Sequence, residues 1–137
     1  MNMDVRSRIE QLASEFDTLP DPFLRYSYLI ELGGLLPPMD SAWRRDENLF
    51  PGCQSRVWVH TELRQGRLFF QADSDTAVMC GILYLLYAAY NGAPVNEARK
   101  APFDILEKTG LAGEFSAQRG MGVRTLVRRV LYEGNEG

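Results

Sequence analysis

The chain is poor in the residues from which inorganic sites are built. It has two cysteines, Cys53 and Cys80, and one histidine, His60, among 137 residues, with no Cys-x-x-Cys pair. That is too few for a structural zinc centre of four ligands, so no metal is expected. It is equally short of positive charge: 15 lysines and arginines against 18 acidic residues give a formal net charge of -3, without the basic signature of a nucleic-acid binder. Long hydrophobic runs are missing too. The longest, from Ala77 to Tyr90, falls short of the roughly 20 residues that cross a bilayer and reads as a central buried helix. The first residues, Met1 to Arg8, are polar and lack the apolar core of a secretory signal, so a cytoplasmic location is expected. A reducing cytosol, with Cys53 on a turn and Cys80 in the apolar helix, argues against a disulfide between them.

What remains is an ordinary globular composition, 45% hydrophobic and 24% charged, in a length suited to one domain spanning residues 1–137. Val5, Ile9, Leu12, Ala13 and Phe16 recur at helical spacing and predict a first helix over Val5 to Phe16. Asp21 as N-cap with Pro22 behind it predicts a second, ending at Gly33-Gly34. Leu35 to Leu49, with Pro37-Pro38 and a polar stretch, reads as an exposed loop, and a strand around Asn48 to Pro51 is left open. Arg56 to Leu63 alternates Val57, Val59, Thr61 and Leu63 against Arg56, Trp58, His60 and Glu62. With a turn at Arg64-Gln65-Gly66 and a partner strand over Arg67 to Ala72, this predicts a hairpin. Asp73-Ser74-Asp75 then offers caps for the apolar helix, which Asn91-Gly92 closes. Short helices follow over Pro94 to Lys100 and Pro102 to Lys108. Ser116 caps a last one with Met121, Leu126, Val127, Val130 and Leu131 inward and Arg124, Arg128 and Arg129 outward, a solvated face or a dock for an acidic partner. The fold class that results is α+β: a single domain with a small antiparallel β-sheet packed against helices.

The most informative stretch is Phe50-Pro51-Gly52-Cys53-Gln54-Ser55-Arg56-Val57-Trp58. A Pro-Gly turn keeps its backbone near solvent, whereas a free cysteine kept only for packing is usually buried. Cys53 is therefore displayed, and reactivity is the expected reason. Cys80, inside the apolar helix, reads as packing. His60 would be the base of a Cys-His hydrolase, but it lies seven residues along a strand, without a partner carboxylate or oxyanion site to complete the machinery.

Across most of its length the chain resembles the SufE-type cysteine desulfurization proteins (the SufE/CsdE family). The resemblance is carried by Tyr28-Leu29-Ile30-Glu31-Leu32-Gly33, Leu36-Pro37, the Gly52-Cys53-Gln54-Ser55-Arg56-Val57-Trp58 string, Asp73-Ser74-Asp75 with Gly81 after it, and Arg119 before the last helix. It departs from the family pattern after Arg119, where a serine is expected and Gly120 stands. The resemblance implies a SufE/NifU-like fold and a sulfur acceptor for a pyridoxal-phosphate cysteine desulfurase, SufS- or CsdA-like. Cys53 would take the terminal sulfur as its own persulfide and pass it toward iron–sulfur cluster assembly, with a scaffold complex as a possible recipient. It further implies that Gly52, Gln54, Asp75 and Arg119 shape or dock the cysteine region, and that the chain itself carries no cofactor.

Transfer between thiols needs a thiolate, an approach path and a leaving sulfur, but no metal. A thiol of ordinary pKa, about 8.5, is mostly protonated at neutrality, so a nearby cation would help; Arg44, Arg45, Arg56 and Arg119 are the candidates. A turn at Pro51-Gly52 would also let Cys53 rest against apolar surface and swing out on docking. Two other classes remain: a NifU/IscU-like iron–sulfur scaffold, which would need ligands shared between chains, and a non-catalytic interaction module.

Overall fold

The computed structural model describes residues 4–51 and 55–132 together with the backbone of 135 and 136. Two helices open the chain, α1 (Val5–Asp17) and α2 (Pro22–Gly33). Each is started by an aspartate: Asp4 accepts from the Ser7 amide, and Asp21 from the Phe23 amide at 2.7 Å with Pro22 at the first helical position. A hairpin follows, β1 (Val57–Arg64) and β2 (Arg67–Ser74), in a register that sets Val57 opposite Ser74 and Arg64 opposite Arg67. Gln65 and Gly66 make its two-residue turn with φ of 52° and 76°, the pair of positive values that matches the twist of the flanking strands.

The long helix α3 (Ala77–Tyr90) then crosses the sheet. Its apolar side meets Val57, Val59, Leu68, Phe70 and Ala72, all at most 4% exposed, and the Phe70 and Tyr87 rings meet edge-on at 5.9 Å. Two short helices, α4 (Val95–Arg99) and α5 (Ile105–Thr109), lead to the closing helix α6 (Ala117–Tyr132). Ser116 caps α6 by accepting from the Arg119 amide at 3.1 Å. A two-residue strand, β3 (Asn135–Glu136), runs parallel to β1, so the sheet order is β2-β1-β3. Among the described residues no helix is long and apolar enough to cross a membrane.

The expected α+β architecture is therefore observed, with two local corrections, at residues 73–75 and at Met121. The third strand, which the sequence left open, is β3; among the described residues the segment before the cysteine contributes a single bridge, Leu49 to Trp58. The loop 35–49 is largely exposed, as expected, and also works as a strap. It buries Met39, stacks Trp43 on His60 at 3.6 Å and 6°, and carries Arg44 to Asp73, because the outward face of β1 and β2 offers aromatic and acidic side chains to cover. Asp73-Ser74-Asp75 does not cap α3. Thr76 holds that place without a side-chain cap, since β2 extends through Ser74: Asp73 turns to Arg44, Asp75 to the Arg56 amide, and Ser74 Oγ donates to the Arg56 carbonyl while accepting from the Thr76 amide itself. Met121 is 64% exposed instead of inward: the glycines on either side of it, Gly120 and Gly122, face the core, which turns residue 121 to solvent.

Candidate functional site

Gly52, Cys53 and Gln54 lie outside the described residues, and the site is built from what holds the chain on either side of them. On the near side the Phe50 amide donates to the Val57 carbonyl at 2.7 Å, and Leu49 pairs with Trp58. The chain therefore leaves and re-enters the sheet at the start of β1. Phe50 is 5% exposed, and the Arg129 guanidinium lies 5.6 Å from its ring centre. That contact draws Arg129 in from the solvated face expected of it, while Arg124 and Arg128 remain exposed.

The far side is braced by side chains from two directions. Ser55 is 8% exposed, and its Oγ accepts from Arg119 Nη2 at 3.2 Å and from Thr76 Oγ1 at 3.1 Å. At Arg56, the amide donates to Asp75 Oδ1 at 3.0 Å, and the carbonyl accepts from Ser74 Oγ at 2.7 Å and from the Asp75 amide at 3.2 Å. The run Ser74-Asp75-Thr76 thus clips the stem to the β2–α3 junction, while α6 grips it from its first turn through Arg119. About 15 Å farther along the same helix, at 1.5 Å per residue, Arg129 meets the opposite stem at Phe50.

The structure brings Asp75 and Arg119 to adjacent residues of one stem, 56 and 55. It also sorts the four arginines named as candidates to serve a thiolate. Arg44 pairs with Asp73 and lies 5.8 Å from the Trp58 ring centre, and Arg45 pairs with Glu47 at 3.2 Å. Arg56 is exposed, and Arg119 is half-buried and tied to Ser55. His60 is engaged under the strap, stacked on Trp43 with Nε2 3.2 Å from Glu62 Oε1. Ser55 and Thr76 received no role from the sequence, although the signal was present: a hydroxyl two residues after the cysteine, and another directly after an acidic-serine cluster.

Cys80 is the second thiol, half-buried in the first turn of α3, with Sγ 3.6 Å from the Ser74 carbonyl and 4.0 Å from Asp73 Oδ1. Burial pushes its pKa up. The hydrogen bond to Ser74 offsets part of this, and the Asp73 and Asp75 carboxylates add to the rise. In a Cys53→Ser variant, iodoacetamide is expected to modify Cys80 slowly at neutral pH, with a rate that climbs only above the ordinary thiol range; rapid labelling at about pH 7 would contradict this.

Residues 10–133 match the family model described as SufE: Fe-S metabolism associated domain. The chain belongs to the SufE family. An uncharacterized SufE-like protein of Rhizobium etli is 35% identical over 130 residues, covering 91% of this chain and 88% of that protein. A second uncharacterized SufE-like protein, from Rhizobium meliloti, is 34% identical over 130 residues, covering 91% and 93%. The chloroplastic quinolinate synthase of Nicotiana tabacum is 33% identical over 118 residues, which cover 82% of this chain but 16% of that protein. The solution structure of a hypothetical protein from Thermus thermophilus has the same fold, with a TM-score of 0.74 at 20% identity over 90% of each chain. Membership of the SufE family associates the chain with iron–sulfur metabolism.

Proposed function

We propose that this SufE-family chain accepts sulfur on Cys53 from the persulfide of a pyridoxal-phosphate cysteine desulfurase and relays it toward iron–sulfur cluster assembly. The observation that carries the reading is the bracing of the cysteine-bearing segment. Phe50 and Val57 close its base, and Asp75, Thr76 and Arg119 hold the residues directly after it, although no regular element runs through 55 or 56. A thiol carried between fixed stems can be presented to a partner without disturbing the core behind it.

In the proposed step the Cys53 thiolate attacks the outer sulfur of the desulfurase persulfide. A new S–S bond forms between Cys53 and that sulfur, the old S–S bond breaks, and the desulfurase cysteine leaves as its thiolate. The outer sulfur keeps its proton and its oxidation state, so the exchange calls for no oxidant, reductant or metal. The pyridoxal phosphate that frees sulfur from cysteine belongs to the desulfurase, and this chain needs no cofactor of its own. In this proposal Arg119 is the cation that favours the Cys53 thiolate, because of the four arginines it alone is half-buried and bonded to the stem. Asp75, Gly52 and Gln54 complete the proposed partner-facing surface.

A single-turnover transfer tests the step. A desulfurase loaded with radiolabelled persulfide is mixed with the chain and resolved without reductant. Label is expected to move to this chain within one turnover; label that stays on the desulfurase while the two proteins bind would contradict the acceptor reading.

A further inference from the structure

We propose that Ser55, held by Thr76, is a positioning residue for sulfur acceptance, an inference that rests on Cys53 being the acceptor. A hydroxyl has two acceptor sites and one proton to give. At Ser55 both acceptor sites are used, one by the Arg119 guanidinium at 3.2 Å and one by the Thr76 hydroxyl at 3.1 Å. The Ser55 proton is therefore what remains to be donated, and the charge of the guanidinium makes it a stronger donor. The oxygen is withdrawn from solvent at 8% residue exposure, where such polarisation is least screened.

The placement of the three partners gives this hydroxyl more than a packing role. Thr76 stands at the start of α3, 21 residues away in sequence, and Arg119 in the first turn of α6, 64 residues away. One small side chain, two residues along the chain from Cys53, thus fixes the stem to both helices and brings the positive charge of Arg119 against it. The bonds from Ser74 and Asp75, by contrast, hold only the backbone of residue 56.

Two rates read the proposal: uptake of sulfur from a desulfurase, and iodoacetamide alkylation of Cys53 across pH, which needs no desulfurase. Both are measured in a Cys80→Ser background. Ser55→Ala is expected to slow uptake at saturating desulfurase about tenfold, the equivalent of one lost hydrogen bond, while half-saturation moves less than about twofold. The alkylation midpoint is expected to rise by about half a pH unit. Ser55→Thr restores both, and Thr76→Val moves both the same way by a smaller amount. Thr76→Val also reads the network should Ser55→Ala fail to fold. Wild-type uptake and an unchanged pH profile in Ser55→Ala would overturn the proposal. So would slowed uptake with no pH shift and no rescue by threonine, which would mark a structural loss only. If Cys53→Ser in the same background still takes up sulfur, the acceptor reading itself fails, and the two failures are distinguished.

Discussion

Gly81→Ala is expected to destabilise the protein by about 3 kcal/mol or more, a large share of the roughly 5–15 kcal/mol that holds a typical domain folded. A Cβ at residue 81 would sit 2.2 Å from the Leu29 carbonyl oxygen, 2.9 Å from its carbonyl carbon and 2.8 Å from Leu29 Cγ. Two of those three atoms are backbone and cannot step aside. The crossing is reciprocal: a Cβ on Gly33 would meet the Gly81 nitrogen at 2.8 Å and Cys80 Cβ at 3.0 Å. Helices α2 and α3 therefore touch backbone to backbone. Restoring ordinary contact would push them apart by about 1 Å along a seam that buries Leu29, Leu32, Ile82 and Leu85. Alanine's better helix propensity, worth about 1 kcal/mol, does not offset that. Gly113→Ala is the matched control, since nothing lies within 4 Å of its added carbon, and it should change stability by less than about 0.5 kcal/mol. Urea unfolding of both variants settles the comparison; equal midpoints would mean that α2 and α3 do not meet so closely.

Cys53→Ser is expected to reduce sulfur uptake and the stimulation of a partner desulfurase to background. A hydroxyl of nearly the same size replaces the thiol, but it neither ionises near neutrality nor attacks sulfur. Binding to the desulfurase should stay within about twofold, and the unfolding midpoint should hardly move, because the bonds at Phe50, Ser55 and Arg56 are made without residue 53. Cys80→Ser should accept sulfur at the wild-type rate, the Cys80 thiol being half-buried and held in its neutral form. A Cys53→Ser protein that still stimulated the desulfurase fully would leave sulfur acceptance without its nucleophile.

Much of this fold was legible in the chain because local rules and tertiary packing agree. Asp21-Pro22 starts α2, the alternation from Val57 to Leu63 faces β1 inward, and the apolar run Ala77–Tyr90 is α3 to the residue. What escaped was set by partners distant in sequence. No periodicity announces that Trp43 will cover His60, or that residues 135 and 136 will pair with β1. The acidic-serine cluster before α3 has the composition of a cap and works as a clip, because the stem at Arg56 presents a free amide and carbonyl to it. The same holds at the site. A cysteine directly after a Pro-Gly pair stood out in the sequence and lies outside the described residues, whereas the Ser55 junction joins residues 55, 76 and 119 and exists only once the chain has folded.

The central claim is that Cys53 carries the sulfur, and non-reducing intact-protein mass spectrometry with peptide mapping tests it most directly. The chain is incubated with an active cysteine desulfurase and cysteine, alongside Cys53→Ser and Cys80→Ser. The account predicts one added sulfur atom on the peptide containing Cys53 in the wild type and in Cys80→Ser, and none in Cys53→Ser. Sulfur found on Cys80 instead, or no sulfur on the wild type while the desulfurase turns over, would contradict it.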